Sequence, residues 1–229
     1  MDATVTSILN KTDAQLKALY DNSVRHLYLG IESGLDDVLR FMYKDHTLSE
    51  ANEAIARLHQ FGFYFDAHIM TGVAGAGRGI ENAQALAEFL NRNKPSRVVN
   101  FSMFLHREVP LAAHLADGSF TPADEYQNLL EDRCLIEMLG DPDTDHEILY
   151  DSFHDFIEFR VKGSLPGDRA KMLAKTDKII EIYKERPPVY SMVYGECPNV
   201  FRENTAAPVW DMNAKSSCTS KQFCDKMQT

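Results

Sequence analysis

Through its first two thirds the chain alternates short runs of β periodicity with longer runs of helical periodicity, which restricts it to α/β folds built on parallel strands. The strand runs lie at 25–31, 63–70 and 97–105. The first helix, over 12–22, takes Thr12 or Asp13 as its cap and sets Leu16, Leu19 and Tyr20 on one side. A short helix at 35–42 follows the first strand. A longer one starts near Ser49, with Ala51, Ala54, Ile55 and Leu58 as its apolar face and Gly62 as its stop. A further helix at 79–91 leads past Pro95 into the third strand. A doubly wound sheet and a piece of a barrel both satisfy this order.

Beyond residue 120 the pattern turns helical. Pro122 and an acidic first turn open a long helix to about residue 139, and a break follows at Gly140-Asp141-Pro142. Residues 150–160 read as helical or irregular, and a last helix spans 168–185. Three parts are therefore expected: an α/β portion over 1–120, a helical C-terminal extension over 121–186, and a polar tail over 187–229 that is loosely packed or ordered only by docking on the rest. With 229 residues, 44% of them hydrophobic, the chain has the material for a sizeable core. Its 34 acidic residues outnumber 24 basic ones, and the formal charge of −10 argues against nucleic acid as a partner. The sequence has no apolar run of about eighteen residues, and Met1-Asp2-Ala3-Thr4 has no signal-peptide character, so a cytoplasmic protein with no membrane partner is expected. Cys134, Cys197, Cys218 and Cys224 are too dispersed for a disulfide scaffold or a structural zinc site. His146, Asp151, His154 and Asp155 lack zinc-type spacing and read as solvated.

The residues that carry chemistry gather where the first strand meets the next helix, at Leu29-Gly30-Ile31-Glu32-Ser33-Gly34. Parallel sheets bind ligands at such strand ends, where a carboxylate accepts hydrogen bonds from a ribose diol and glycine lets the backbone approach a ligand. An ordinary strand-to-helix turn with a capping Ser or Glu accounts for the same six residues. The longer stretch 32–47 runs from Glu32-Ser33-Gly34 through Val38-Leu39 and Met42 to Lys44 and Thr47. It resembles the fourth-strand motif of radical S-adenosylmethionine (SAM) enzymes of the coproporphyrinogen-dehydrogenase and methylthiotransferase type. The resemblance implies that Glu32, with Ser33 beside it, holds the ribose of SAM and that Lys44 contacts its carboxylate. Lys44 does so as a point charge where the family commonly has a bidentate arginine.

Two more blocks resemble the same family in the same order. Phe65-Asp66-Ala67-His68-Ile69-Met70-Thr71-Gly72-Val73-Ala74-Gly75 is similar to its fifth strand and glycine loop, which implies contacts from Gly72 and the loop backbone to the methionyl part of SAM. His68 stands where relatives often carry an Asp, and Asp66, of the same strand parity, is the natural substitute. The loop from Gly72 to Gly79 is not a Walker motif, because no Gly-Lys-Ser/Thr follows it. Residues 99–111, with Gly118-Ser119-Phe120, are similar to the sixth strand and its exit, which implies Phe104, Leu105 and His106 near the adenine. The implied fold is a partial (β/α) barrel carrying parallel strands four to six of a radical SAM barrel, followed by the helical extension.

The resemblance also defines what is missing. The family's iron–sulfur (4Fe–4S) cluster needs three cysteine thiolates, spaced C-x3-C-x2-C. No such triad is present, and Cys218 and Cys224, spaced C-x5-C, sit in the polar tail. The complete enzyme would cleave SAM to a 5′-deoxyadenosyl radical. This chain alone is expected to be inactive, to keep half of a SAM pocket, and to have the first three strand–helix units upstream of Met1 or on a separate chain. An open barrel edge favours cover by a second copy or a partner chain. The competing reading is a non-catalytic half-barrel interaction or oligomerisation module, against which the retention of Glu32, Ser33 and Lys44 counts.

Overall fold

A computed structural model describes residues 1–106, 108–140 and 145–193. In chain order the elements are β1 (Asp2–Ala3), α1 (Val5–Leu9), α2 (Asp13–Asp21), β2 (His26–Glu32), α3 (Asp36–Phe41), α4 (Leu48–Gln60), β3 (Tyr64–Thr71) and α5 (Gly79–Asn93). There follow β4 (Arg97–Ser102), β5 (Leu105–His106), α6 (Leu111–Ala116), α7 (Glu125–Met138), β6 (Ile148–His154), β7 (Phe159–Leu165), α8 (Arg169–Lys184) and β8 (Met192–Val193). The helices expected before the first and second strand runs start at side-chain caps. Thr12 accepts the Gln15 N–H while the Gln15 side chain accepts the Thr12 N–H, and Thr47 with Glu50 repeats that box ahead of α4. Loss of such a cap typically costs about 1 kcal/mol.

Six strands form one sheet in the order β1-β2-β3-β4-β6-β7. β1 to β4 and β6 run parallel, and β7 lies antiparallel on β6. Side chains alternate across a strand, so the register sorts the residues into two faces. On one face Leu27, Leu29, Ile31, Phe65, Ala67, Ile69, Val98, Ile148 and Tyr150 are buried in a core shared with Leu16 of α2, Ile55 of α4, Leu86 of α5 and Leu129 of α7. Tyr28 is aligned with Asp66, Gly30 with His68, Met70 with Phe101, and Phe101 with Phe153, which places these residues on the other face. That face is open, with Phe101 41% and Leu149 44% exposed. A parallel sheet with helices packed on one side is the expected α/β class.

Residues 148–165 correct one expectation, because the region beyond residue 120 is not purely helical. The stretch 150–160 falls largely in β6 and β7, and β6 extends the parallel sheet beside β4. Its β period was masked because the core-facing positions are Ile148, Tyr150, Ser152 and His154, two of them polar, while Leu149 and Phe153 alternate with them on the open face. Hydrophobicity does not alternate there although the side chains do. The third strand also ends earlier than expected, at Ser102. Leu105 and His106 leave the main sheet and pair in parallel with Met192 and Val193. Residues 194–229, which include Cys197, Cys218 and Cys224, lie outside the described residues. Among the described residues no helix is long and apolar enough to cross a membrane.

Candidate functional site

β2 ends in a kink that aims its last side chain. Glu32 has a φ of 63°, in the left-handed region, and the register with β3 slips between Gly30 and Glu32. The slip folds the carboxylate back over Gly30, where a Cβ would lie 2.8 Å from Oε1. Glycine is therefore what leaves room for this acid on the open face, beside Tyr28 and His68. Lys44 donates to the same oxygen at 2.8 Å, with the Glu32 side chain 16% and the Lys44 side chain 36% exposed. An ion pair so open to water contributes about 0–1 kcal/mol to stability. Stability alone does not account for building a bulge to place it.

The other residues singled out in the sequence divide between the two faces. Asp66 is buried, with its carboxylate 3.5 Å from His26 Nδ1. His68 is half-buried between Tyr28 and Phe101, at ring-centroid distances of 5.1 and 6.0 Å. The row of rings continues across the open face, with Phe101 stacked on Phe153 at 5.5 Å and the Arg160 guanidinium 4.3 Å from the Phe153 ring centre. Ser33 turns the other way: it is buried, and its hydroxyl donates to Asn82 Oδ1 at 2.7 Å. Leu105 fills a small apolar cluster with Val38, Val73, Met103 and Phe120. The half-buried His106 accepts the Glu108 N–H on Nδ1 at 3.2 Å. Phe104 lies beside Phe156. Glu32 and Lys44 thus meet at the end of β2, with His68 on the same face, whereas Asp66 is buried near the start of β3 against His26, and Ser33 and Leu105 are occupied elsewhere.

Behind the same strand ends lies a polar network that the sequence did not disclose. Glu125, Asn128, Glu131 and Asp132 of α7 are all buried. His154, fully buried at the end of β6, sits between two of these acids, with Nδ1 3.0 Å from Glu125 and Nε2 3.3 Å from Asp132. Burial opposes its charge, but the hydrogen bonds to Asp132 and Glu125 prevail and raise its pKa to about 9. Burial likewise pushes the Glu125 carboxyl up, yet the bond from His154 and its charge leave it below its ordinary value. Tyr150 donates to Asp132, Asn100 donates to both, and Thr71 donates to Asn100 Oδ1 at 2.6 Å. Glu131 is the acid most affected by burial, and its pKa rises to about 7 despite donors from Asn82 and the Gly72 backbone. The start of the expected tail docks here too: Ser191 donates to Glu125, and the Glu125 N–H donates to the Val189 carbonyl. The sequence hint is the spacing of positions 125, 128 and 132 on one helix face, which looks the same for a solvated face.

Among the described residues no group of three or more His, Cys, Asp and Glu side chains could hold a metal ion, and Cys134 is their one free cysteine. These residues do not fit an iron–sulfur cluster. What they do offer is a strand-end carboxylate held over a glycine with an ammonium beside it, an acceptor and a cation side by side.

No family model matches the chain, and no curated protein matches it. Among solved structures it is similar to the archaeal Elp3 of Methanocaldococcus infernus, in a form with an N-terminal deletion of residues 1–46. The TM-score is 0.58 at 14% sequence identity, over 81% of this chain and 42% of that one. The chain therefore spans less than half the length of that protein. What the likeness shows is the fold, a mixed α/β arrangement on a parallel sheet similar to that of Elp3.

Proposed function

We propose that the chain is the rear part of a radical SAM barrel and that Glu32 and Lys44 retain half of its SAM site. The observation that carries this reading is the bulge at the end of β2, which holds the Glu32 carboxylate over Gly30 with Lys44 at 2.8 Å. Glu32 accepts the ribose hydroxyls, and Lys44 leaves Glu32 to hold the carboxylate of the methionyl part. The Gly72 loop, at the end of the adjacent strand, supplies backbone contacts. In the complete enzyme an iron–sulfur cluster would supply one electron to SAM, whose S–C5′ bond would break to give methionine and a 5′-deoxyadenosyl radical. The sequence carries no C-x3-C-x2-C triad for the iron–sulfur cluster that cleavage requires, and on this reading the chain by itself binds rather than reacts.

Calorimetry with SAM and S-adenosylhomocysteine tests the reading. Saturable binding that Glu32→Ala abolishes and Lys44→Ala weakens supports it, and no binding of either compound at millimolar concentration overturns it. A second reading, a half-barrel interaction module covered by another copy or a partner chain, draws on the exposed Phe101 and Leu149 of the open face. It expects self-association in sedimentation together with no SAM binding.

A further inference from the structure

The turns that follow β2 and β3 are joined by a line of buried hydrogen bonds whose direction is fixed at both ends. The Gly34 N–H and the Ser33 hydroxyl both donate to Asn82 Oδ1, at 3.0 and 2.7 Å. The Asn82 amide must then present its NH2 on the other side, and this donates to Glu131 Oε1 at 2.8 Å. The Gly72 N–H donates to Glu131 Oε2 at 2.9 Å. Because both termini are donors, Glu131 has to accept on both oxygens, which it does as the carboxylate, above its pKa of about 7, and an amide cannot. Ser33, Asn82 and Glu131 are buried, so water cannot stand in for a lost partner. Packing is as tight as the bonding. A Cβ on Gly34 would meet the Leu86 nitrogen of α5 at 2.4 Å, and one on Gly72 would meet Asn128 Oδ1 of α7 at 2.6 Å.

We propose that Asn82 and Glu131 are positioning residues, a latch that fixes the Glu32 turn against the Gly72 loop without touching the ligand. The ligand in this inference rests on the SAM reading above; the latch does not. It predicts a reciprocal rescue. Glu131→Gln sets an amide against a fixed donor, and Asn82→Asp sets two carboxylates face to face. The double variant Asn82→Asp/Glu131→Gln restores every donor to an acceptor, with the charge moved one residue along the line.

Two readouts on the full chain separate the claims. Hydrogen exchange by NMR reports the latch directly: each single variant should speed exchange at both Gly34 and Gly72 about tenfold or more, and the double variant should return both toward wild type. SAM affinity should fall about tenfold or more in the singles and recover in the double. If a single variant fails to fold, the double variant still folds and binds. Unchanged exchange in both single variants, or no recovery in the double, overturns the latch. If wild type binds no SAM while exchange at the two glycines remains coupled, the SAM reading falls and the latch stands. If Glu32→Ala abolishes binding while the latch variants bind as wild type does, the latch falls and the SAM reading stands.

Discussion

Glu32 and His154 both occupy the last position of a parallel strand, on opposite faces of one sheet, and their surroundings differ in kind. His154 is fully buried, and each ring nitrogen meets a carboxylate. Glu32 has an accessible partner in Lys44 and stays in reach of water. A charge that has lost its water has to be partnered on every side, and it then has nothing left to offer a ligand. A charge held at a strand end with one exchangeable partner can trade that partner for a substrate group. Burial thus separates the acids and bases that hold this sheet together from those that face outward, although the two kinds sit at equivalent positions along their strands.

The comparison breaks most easily at His154. Replacing it with Leu leaves Glu125 and Asp132 buried without their shared cation, and loss of one partner from such a group costs about 3–5 kcal/mol. Glu32→Ala should change stability by about 1 kcal/mol or less while abolishing SAM binding. Urea denaturation of the two variants in parallel decides the matter. Equal losses of stability would mean that burial does not separate the faces.

A smaller effect appears when pH is the perturbant. The folded pKa of His154, about 9, lies above its ordinary 6.5, and that of Glu131, about 7, lies above its ordinary 4.5. Both groups bind protons more tightly in the folded chain, so both contributions are present at low pH and are lost as pH rises. That of Glu131 is complete below 4.5 and gone above about 7, and that of His154 is complete below 6.5 and gone above about 9. Glu125, shifted down, acts in the opposite sense and weakens the fold only as pH drops through the acid range. The urea midpoint should therefore decline between about pH 4.5 and about pH 9, and His154→Leu should remove the upper part of that decline. A midpoint that is flat over this interval contradicts the assignment.

The open face was the legible one. β2, β3 and β4 announced themselves because their core-facing residues are apolar and their outward ones mixed. Asp66 and His68 were placed on one face by parity alone, and the register confirms that they share it. The helix-side network was illegible for the reason that makes it stable. Ser152 and His154 break the apolar alternation of β6, and Glu125, Glu131 and Asp132 resemble a solvated helix face until α7 is laid on the sheet. Ser33 shows the same blind spot at one residue, since a hydroxyl beside Glu32 reads as a ligand contact and is spent on Asn82. A sequence records which polar groups exist, but whether they are partnered by protein or left for something else is decided by packing between elements far apart in the chain.

Gly30 gives a finer test of how the outward acid is held. A Cβ placed 2.8 Å from Glu32 Oε1 displaces only the far end of a flexible side chain, so Gly30→Ala should cost about 1 kcal/mol or less in stability. The carboxylate, however, leaves the position from which it meets both Lys44 and a ribose, and SAM affinity in calorimetry should drop about tenfold. Unchanged affinity would show that the bulge at Glu32 serves the fold and not the ligand.

The smallest expected change is at Phe101, in the middle of the ring row and 41% exposed. Its stacking on Phe153 and edge contact with His68 are cross-strand pairs worth about 0.2–1 kcal/mol, so Phe101→Ser should lower the urea midpoint only slightly. The informative quantity is association. If the open face is where another copy or a partner chain packs, removing its central ring weakens self-association in sedimentation equilibrium while leaving the Glu32 site intact, because Phe101 lies on β4 and not beside the β2 bulge. Self-association that persists unchanged in Phe101→Ser would place the contact elsewhere on the molecule, and the open face would then be left to the ligand alone.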